Sequence, residues 1–182
     1  TGNFALQVIN STGSSLKPLG FRAEDIRFAT GSSERMRIDS SGRVTTPYQP
    51  KFYAFANEGG NEAVSGNTVP TSWIVVNNTG NHFSSGVFTA PIAGTYRFFY
   101  SMLSGTADGF GLLQFRKNGS GSFVAGVSAN WGQGYVYTVS NDKVVTRELI
   151  IDLSQNDTID LITHSTHNHF YWTSGYSYFG GH

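Results

Sequence analysis

Apolar and polar residues alternate along most of this chain, and turn-forming clusters separate the alternating runs. In the clearest run, 94–103, every second residue is large and apolar. Its apolar face consists of Tyr96, Phe98, Tyr100 and Met102. A period of two predicts a β-strand. Shorter runs predict further strands at 52–56, 73–76, 86–89, 112–117, 122–129, 143–153, 158–163 and 175–181. No stretch has a convincing helical period, so we predict an all-β sandwich or jelly roll with antiparallel strands.

The first fifty residues differ from the rest. Short alternating runs around Ile26 and Met36 are separated by Gly/Ser-rich turns, and strands of this length bury little by themselves. Such a segment is stable mainly when other chains complete it. The segment Thr46–Pro50 contains two prolines, which favour an extended linker. We therefore predict a β-rich fibre shaft or neck with its linker at 1–50 and a jelly-roll head domain at 51–182. Because the chain opens on Thr1, we expect it to begin inside a longer polypeptide.

Composition excludes several classes of protein. Twelve basic residues balance twelve acidic ones, which argues against binding to nucleic acid. The chain has no cysteine, so disulfide scaffolds, thiolate metal sites and cysteine nucleophiles are excluded. It has no apolar run of about 18 residues, so we expect no membrane insertion. Nucleophile-elbow, P-loop and H-E-x-x-H motifs are missing, and we predict that the protein is not an enzyme.

One segment resembles a known family. Residues 86–98 read GVFTAPIAGTYRF, which is similar to the pattern G-x-F-x-A-P-x-x-G-x-Y-x-F of the C1q/TNF-like globular domains. The resemblance covers 51–182, with an aromatic opening strand, a turn at Asn156 and Asp157, and a short aromatic closing strand. Two features depart from the family: Asn156 replaces a glycine, and the chain closes on Gly-Gly-His. The resemblance implies a jelly roll that forms a homotrimer with aromatic contacts along its three-fold axis.

A second resemblance concerns the segment before the linker. Residues 33–44 read SERMRIDSSGRV, which is similar to a segment frequent in tailed-phage fibre proteins just before a C-terminal knob. Together the two resemblances imply a C1q-like head at the C-terminal end of a bacteriophage tail fibre, located in the virion and acting outside the cell. We expect a trimeric receptor-binding protein for host attachment, whose partners are its own copies, the rest of the fibre, and a host glycan or outer-membrane protein.

Two alternatives to this function stay open. The first is a structural knob that trimerises or caps a virion fibre without recognising a receptor. The second is a depolymerase, for which the sequence offers little support. Adhesion to host cells separates the receptor-binding tip from the knob, and an assay on host polysaccharide detects the enzyme.

Aromatic residues in Gly/Ser/Asn-rich stretches, which we expect to lie outside clean strands, are the candidates for receptor contact. They are Trp131, Tyr135, Tyr137, Tyr171 and Trp172. Aromatic side chains on turns stack on sugar faces and anchor interfaces. The alternative for each of them is a contact inside the trimer or a place in the core.

Histidines suggest a metal site. Three of the five histidines lie within 164–169, and His167 and His169 are two residues apart. In a strand such residues face the same side, and three copies of the pair on a three-fold axis would offer six imidazoles to a transition-metal ion. The pair also resembles the His-X-His metal sites of some phage fibre tips. The alternatives are a solvated loop, a pH sensor and a glycan contact.

Calcium is the second metal considered. Asp152, Asp157 and Asp160 cluster in the sequence, and Ca²⁺ prefers six to eight oxygen ligands. The chain has no D-x-D-x-D-G loop, and Asp160 alternates with apolar residues. This pattern favours a solvated strand face over a calcium site.

Overall fold

The computed structural model describes residues 6–57, 61–63, 69–103, 110–119, 133–137, 144–171 and 175–182. Side chains are described within these ranges except at 61–63, 110–112, 133–137, 145 and 163–171. The described residues form β-strands and contain no helix, hence no helix suited in length and apolarity to crossing a membrane. The strands are β1 (Ile26–Thr30), β2 (Ser33–Ile38), β3 (Val44–Thr45), β4 (Lys51–Ala56), β5 (Asn61–Ala63), β6 (Trp73–Thr79), β7 (Phe83–Ser84), β8 (Val87–Thr89), β9 (Gly94–Leu103), β10 (Phe110–Lys117), β11 (Gln133–Tyr137), β12 (Val144–Leu153), β13 (Thr158–Tyr171) and β14 (Tyr178–Gly181).

The chain divides into two compact units, 1–48 and 49–182. In the first unit, β1, β2 and β3 form a small antiparallel sheet in that order. Gly31, with φ 59°, stands in the turn between β1 and β2, a backbone conformation that favours glycine. The carboxylate of Glu34 accepts a hydrogen bond from the Arg37 guanidinium at 2.8 Å. Local turns and ion pairs therefore shape this unit.

The described residues of the first unit form no buried core in a single chain. None of the described residues 6–48 is buried, and several large apolar side chains are exposed to solvent. Leu6, Leu16, Phe21 and Val44 are 60–74% exposed. Since apolar burial is the main stabilising term in folding, the described residues of this unit gain little stability from burial in a single copy.

The second unit consists of two antiparallel sheets. One has five strands in the order β12-β9-β14-β4-β6, and the other has the order β11-β10-β13-β8-β7, with β5 also paired to β13. Strands β4 and β14, from the two ends of this unit, are neighbours, and Phe52 pairs with Gly181. Strands far apart in the sequence therefore lie side by side, as in a jelly roll.

The core lies between the two sheets, as the alternation predicted. On β9, Tyr96, Phe98, Tyr100 and Met102 are 0–5% exposed, which confirms the predicted inward face. The Tyr100 hydroxyl donates to the Leu113 carbonyl at 2.7 Å and thus connects β9 to β10 of the other sheet. The remaining buried apolar residues are Phe52, Ala54, Ala56, Phe83, Phe88, Ala90, Leu113, Phe115, Leu149, Leu153, Ile159, Leu161 and Phe179.

Turns with positive φ explain one departure from the family pattern. Asn156 has φ 70°, a left-handed conformation that asparagine tolerates, so it serves where the family has glycine. Asn118 and Gly119 also have positive φ, as a tight hairpin turn requires. The predicted return strand at 122–129 lies outside the described residues. Strand β10 pairs with β11 and with β13.

Candidate functional site

Four aromatic rings form a continuous patch on the outer face of the five-stranded sheet. This aromatic patch consists of Tyr53, Phe55, Phe99 and Tyr178, all half-buried. The Tyr53 ring centroid lies 5.2 Å from that of Phe55 and 5.5 Å from that of Tyr178. The Phe99 centroid lies 6.3 Å from that of Tyr178. These rings alternate along β4, β9 and β14 with the inward residues of the core, so the sheet is aromatic on both faces.

A glycine makes room for the patch. A Cβ on Gly180 would lie 2.6 Å from Phe99 Cζ, which is closer than carbon atoms pack. On the opposite face, a Cβ on Gly181 would lie 2.5 Å from Phe98 Cδ1. The Gly-Gly pair that departs from the family pattern therefore allows a phenylalanine ring to cover β14 on each side.

Exposed apolar residues lie on both edge strands of this sheet. On β6, three consecutive residues, Ile74, Val75 and Val76, are 41–59% exposed. On β12, Val144 and Ile150 are 60% and 65% exposed. An edge strand with exposed apolar side chains is prone to association, and apolar surface beyond scattered single residues marks an interaction site.

Polar groups border the patch on the side of β12. The Arg97 guanidinium donates two hydrogen bonds of 2.8 Å to the Glu148 carboxylate. These bonds lower the pKa of Glu148 and raise that of Arg97. Burial, followed by the neighbouring Tyr178, raises the pKa of Tyr53. The patch is thus an apolar surface with one charged pair at its border, and apolar centres with polar borders are typical of protein–protein interfaces.

The predicted histidine site lies on β13. His167 and His169 belong to this strand, which runs to Tyr171 and past the predicted end at 163, and His169 pairs with Ala63 of β5. This is an extended segment and not the loop of the alternative interpretation. Their side chains lie outside the described residues. Within the described part of the chain, no three His, Cys, Asp or Glu side chains are grouped as metal ligands would be.

Three of the five predicted receptor-contact residues lie in described strands. Tyr135 and Tyr137 lie in β11, opposite Leu112 and Phe110 of β10. Tyr171 ends β13. These three were expected outside clean strands, and that expectation was wrong. Trp131 and Trp172 lie outside the described residues, as do the side chains of the three tyrosines.

The aspartates considered for calcium serve separate polar contacts. Asp160 was expected on a solvated strand face, but it is only 3% exposed, and it accepts hydrogen bonds from Arg116 at 2.9 and 2.8 Å. That expectation was wrong because β10 lies beside β13 and covers the carboxylate. The Asp152 carboxylate accepts a hydrogen bond from the Thr95 hydroxyl.

Asp157 joins two turns. Its carboxylate forms an ion pair with Lys117 at 2.7 Å and accepts hydrogen bonds from Asn118 and from the backbone N–H of Ser154. These partners lower the pKa of Asp157 to about 2. Carboxylates that already hold cationic and N–H partners stabilise the structure around them.

The sequence analysis did not single out the aromatic patch. A signal was present, since Tyr53 and Phe55 alternate with Phe52 and Ala54 in the same strand. A strand that is aromatic on both faces indicates that both faces become covered. The local pattern does not show that Phe99 of β9 and Tyr178 of β14 lie beside Tyr53 and Phe55, because these strands are far apart in the sequence.

Comparison with known proteins supports the fold. The sequence matches no protein-family model and no curated protein. Solved structures do match. The globular domain of zebrafish complement 1qA protein superposes with a TM-score of 0.53 over 74% of this chain and 96% of its own, at 16% identity. The fold is a C1q/TNF-like jelly roll.

Two TNF-type structures agree with this result. Eiger TNF from S. frugiperda covers 73% of this chain and 92% of its own length, with a TM-score of 0.53 and 10% identity. Murine APRIL covers 72% and 96%, with a TM-score of 0.51 and 11% identity. At these identities the likeness concerns the fold, which confirms the predicted all-β architecture.

Proposed function

We propose that this protein is a non-enzymatic homotrimer and that the aromatic patch is its self-association surface. The observation that carries the proposal is a face of four neighbouring rings between two edge strands with exposed apolar residues. An interface of three-fold symmetry joins two different surfaces of each copy. In this protein the two surfaces would be the aromatic patch on the face of the five-stranded sheet and an edge strand of the same sheet, β6 or β12.

We propose further that the trimer belongs to a tailed-phage fibre. Two features support this. The segment 33–44, which includes β2, resembles a segment of phage fibre proteins, and none of the described residues 6–48 is buried in a single chain. Three copies side by side would give these residues the interior that one copy lacks. In this proposal, 1–50 is the neck and 51–182 the head of a virion protein.

The head then binds a receptor on the host cell surface, either a glycan or an outer-membrane protein. Trp131, Tyr135, Tyr137, Tyr171 and Trp172 remain the candidate contacts. Three copies of a weak site on one rigid trimer raise the avidity by orders of magnitude over the single-site affinity. A fibre tip therefore gains tight attachment without a deep pocket.

The alternative is a structural knob without receptor recognition. One observation favours it: the rings that the structure gathers on one face of the head form the aromatic patch, which is proposed here for self-association, and none of them is a candidate receptor contact. Under this alternative the head would trimerise and end the fibre, and recognition would belong to another protein.

The trimer is tested by sedimentation of Tyr178→Arg against Ile92→Arg. Both variants introduce one positive charge, the first in the patch and the second at a residue that is 59% exposed in the bend before β9. We expect the wild type and Ile92→Arg to sediment as trimers, and Tyr178→Arg to sediment as a folded monomer. A monomeric wild type, or trimers of all three proteins, would contradict the assignment of the patch.

Receptor binding is tested with fluorescently labelled trimer on candidate host cells, with and without a chelator. Saturable binding that Trp131→Ala or Tyr135→Ala weakens without dissociating the trimer supports the fibre tip. A stable trimer that binds none of the hosts of its parent particle supports the structural knob. Release of reducing sugar from host polysaccharide would instead indicate a depolymerase.

A further inference from the structure

The sequence contains a single Asn-Gly pair, Asn118–Gly119, and it lies in the turn that follows β10. Asparagine loses its side-chain amide most readily before glycine, because glycine has no side chain to shield its backbone nitrogen. Both residues are exposed, with φ 54° and 62°, and a Cβ on Gly119 would meet no atom within 4 Å. The described residues therefore do not shield this pair from water.

The side chain of Asn118 is nevertheless held on both of its polar atoms. Its Oδ1 accepts a hydrogen bond from the backbone N–H of Thr158 at 2.7 Å, and its Nδ2 donates to the Asp157 carboxylate at 2.8 Å. The backbone N–H of Asn118 donates to the Thr158 carbonyl at 3.0 Å. Asn118 thus extends the pairing of β10 with β13 by one residue and fastens the turn to the start of β13.

Deamidation would have to break these side-chain bonds. In this reaction the Gly119 nitrogen attacks Cγ of Asn118, a C–N bond closes a five-membered succinimide ring, and Nδ2 leaves as ammonia. Water then opens the ring to aspartate or isoaspartate, so each conversion consumes one water and releases one ammonia. Ring closure brings Cγ onto the nitrogen of the next residue, whereas the two hydrogen bonds hold the amide against Asp157 and Thr158.

We propose that Asn118 is a deamidation site of this protein and that Asp157 holds the reaction back while the turn is closed. Two hydrogen bonds, one of them to a charged acceptor, should slow conversion in the folded chain roughly a hundredfold relative to the unfolded chain. The aspartate product puts a carboxylate oxygen where Nδ2 stood, 2.8 Å from the Asp157 carboxylate. Two carboxylates this close do not readily ionise together, so conversion opens the turn at neutral pH. This inference is independent of the proposed trimer.

The test follows Asn118 by peptide mapping and mass spectrometry of the full chain at mildly alkaline pH, folded and in urea. Asp157→Ala should speed conversion in the folded chain roughly tenfold, because it removes the charged acceptor of Nδ2. Lys117→Gln removes the ion-pair partner of Asp157 and leaves both bonds of the amide, so it should convert near the wild-type rate. Asn81 is an internal control, since it is exposed with φ 58° but precedes His82, and it should keep its amide.

The wild-type comparison depends on no variant. Equal rates at Asn118 in the folded and unfolded chains, or no conversion in urea, would overturn the proposal. Lys117→Gln that speeds the reaction as much as Asp157→Ala would also overturn it, because general loosening of the turn would then explain both.

The consequence of the reaction is tested with Asn118→Asp. This variant should unfold at a lower urea concentration than the wild type at neutral pH. The difference should shrink in acid, where protonation of one carboxylate restores a donor between Asn118→Asp and Asp157. A difference that is the same at both pH values would refute the proposed repulsion.

Discussion

Gly180 and Gly181 provide a direct test of the two faces of β14. The same single methyl group is added at adjacent positions, by Gly180→Ala towards the aromatic patch and by Gly181→Ala towards the core. Neither glycine adopts a positive φ, so alanine meets no backbone restriction. Differences between the variants then report the surroundings of each added Cβ.

The contacts predict different costs. At Gly181 the Cβ would lie 2.5 Å from Phe98 Cδ1 and 2.9 Å from Phe52 Cε1, and both rings are buried. Overpacking of a core costs about 1–3 kcal/mol, and replacing a strand glycine with alanine returns about 0.5–1 kcal/mol. We expect Gly181→Ala to lower the free energy of unfolding by about 1–2 kcal/mol.

At Gly180 the affected ring is at the surface. The Cβ would lie 2.6 Å from Phe99 Cζ, the far end of a half-buried side chain, and 3.1 Å from the Phe52 carbonyl oxygen. Because the Phe99 ring can tilt outwards, we expect the free energy of unfolding to fall little. The tilted ring would change the shape of the aromatic patch and so weaken the proposed trimer interface. A loss of about 1 kcal/mol at each of three interfaces weakens the trimer roughly a hundredfold.

Two assays separate these effects. Urea unfolding at low protein concentration measures the stability of the single chain, and sedimentation over a concentration series measures association. The face assignment would be refuted if Gly181→Ala unfolded at the wild-type midpoint. It would also be refuted if Gly180→Ala lost more folding stability than Gly181→Ala while its trimer stayed intact.

Three further predictions concern charged and titratable side chains. Asp160→Asn should lower the free energy of unfolding by about 3–5 kcal/mol, because it leaves a largely buried arginine without its partner. Glu148→Gln removes an exposed ion pair of the same geometry and should lower the free energy of unfolding far less. Equal losses for the two variants in urea titrations would contradict the role of burial. The pKa of Asp157 is lowered from 3.8 to about 2, so its contribution to stability is present above pH 3.8 and is lost as the pH falls towards 2. Thermal melts of Asp157→Asn should accordingly fall less over that interval than those of the wild type. His167→Ala combined with His169→Ala should abolish Ni²⁺ or Zn²⁺ binding to the trimer in calorimetry, and unchanged binding would refute the histidine site.

Much of the fold could be predicted from local patterns. The alternation in 94–103 correctly predicted which side chains of β9 face the core, because the direction of a strand side chain depends only on its position in the strand. The segment 86–98 predicted the jelly roll that the solved structures support. Asn156 could stand for glycine because its turn needs only a positive φ.

Predictions that depended on distant neighbours were less successful. Asp160 was expected in solvent because its flanking residues alternate, but the guanidinium of Arg116, 44 residues away in the sequence, pairs with it in the interior. Tyr135 was expected outside strands because its flanks are rich in glycine, but it lies in β11, opposite Leu112. In both cases the prediction failed because it could not foresee pairing with β10.

The sequence by itself determined where strands form and which of their faces is apolar, since both follow from the two-residue period of an extended chain. Only the tertiary structure decided that β4, β9 and β14 lie side by side, which gathers Tyr53, Phe99 and Tyr178 into one patch and places Gly180 beneath a ring. The physical reason is that strand order depends on the packing of the whole core, to which residues from both sheets contribute.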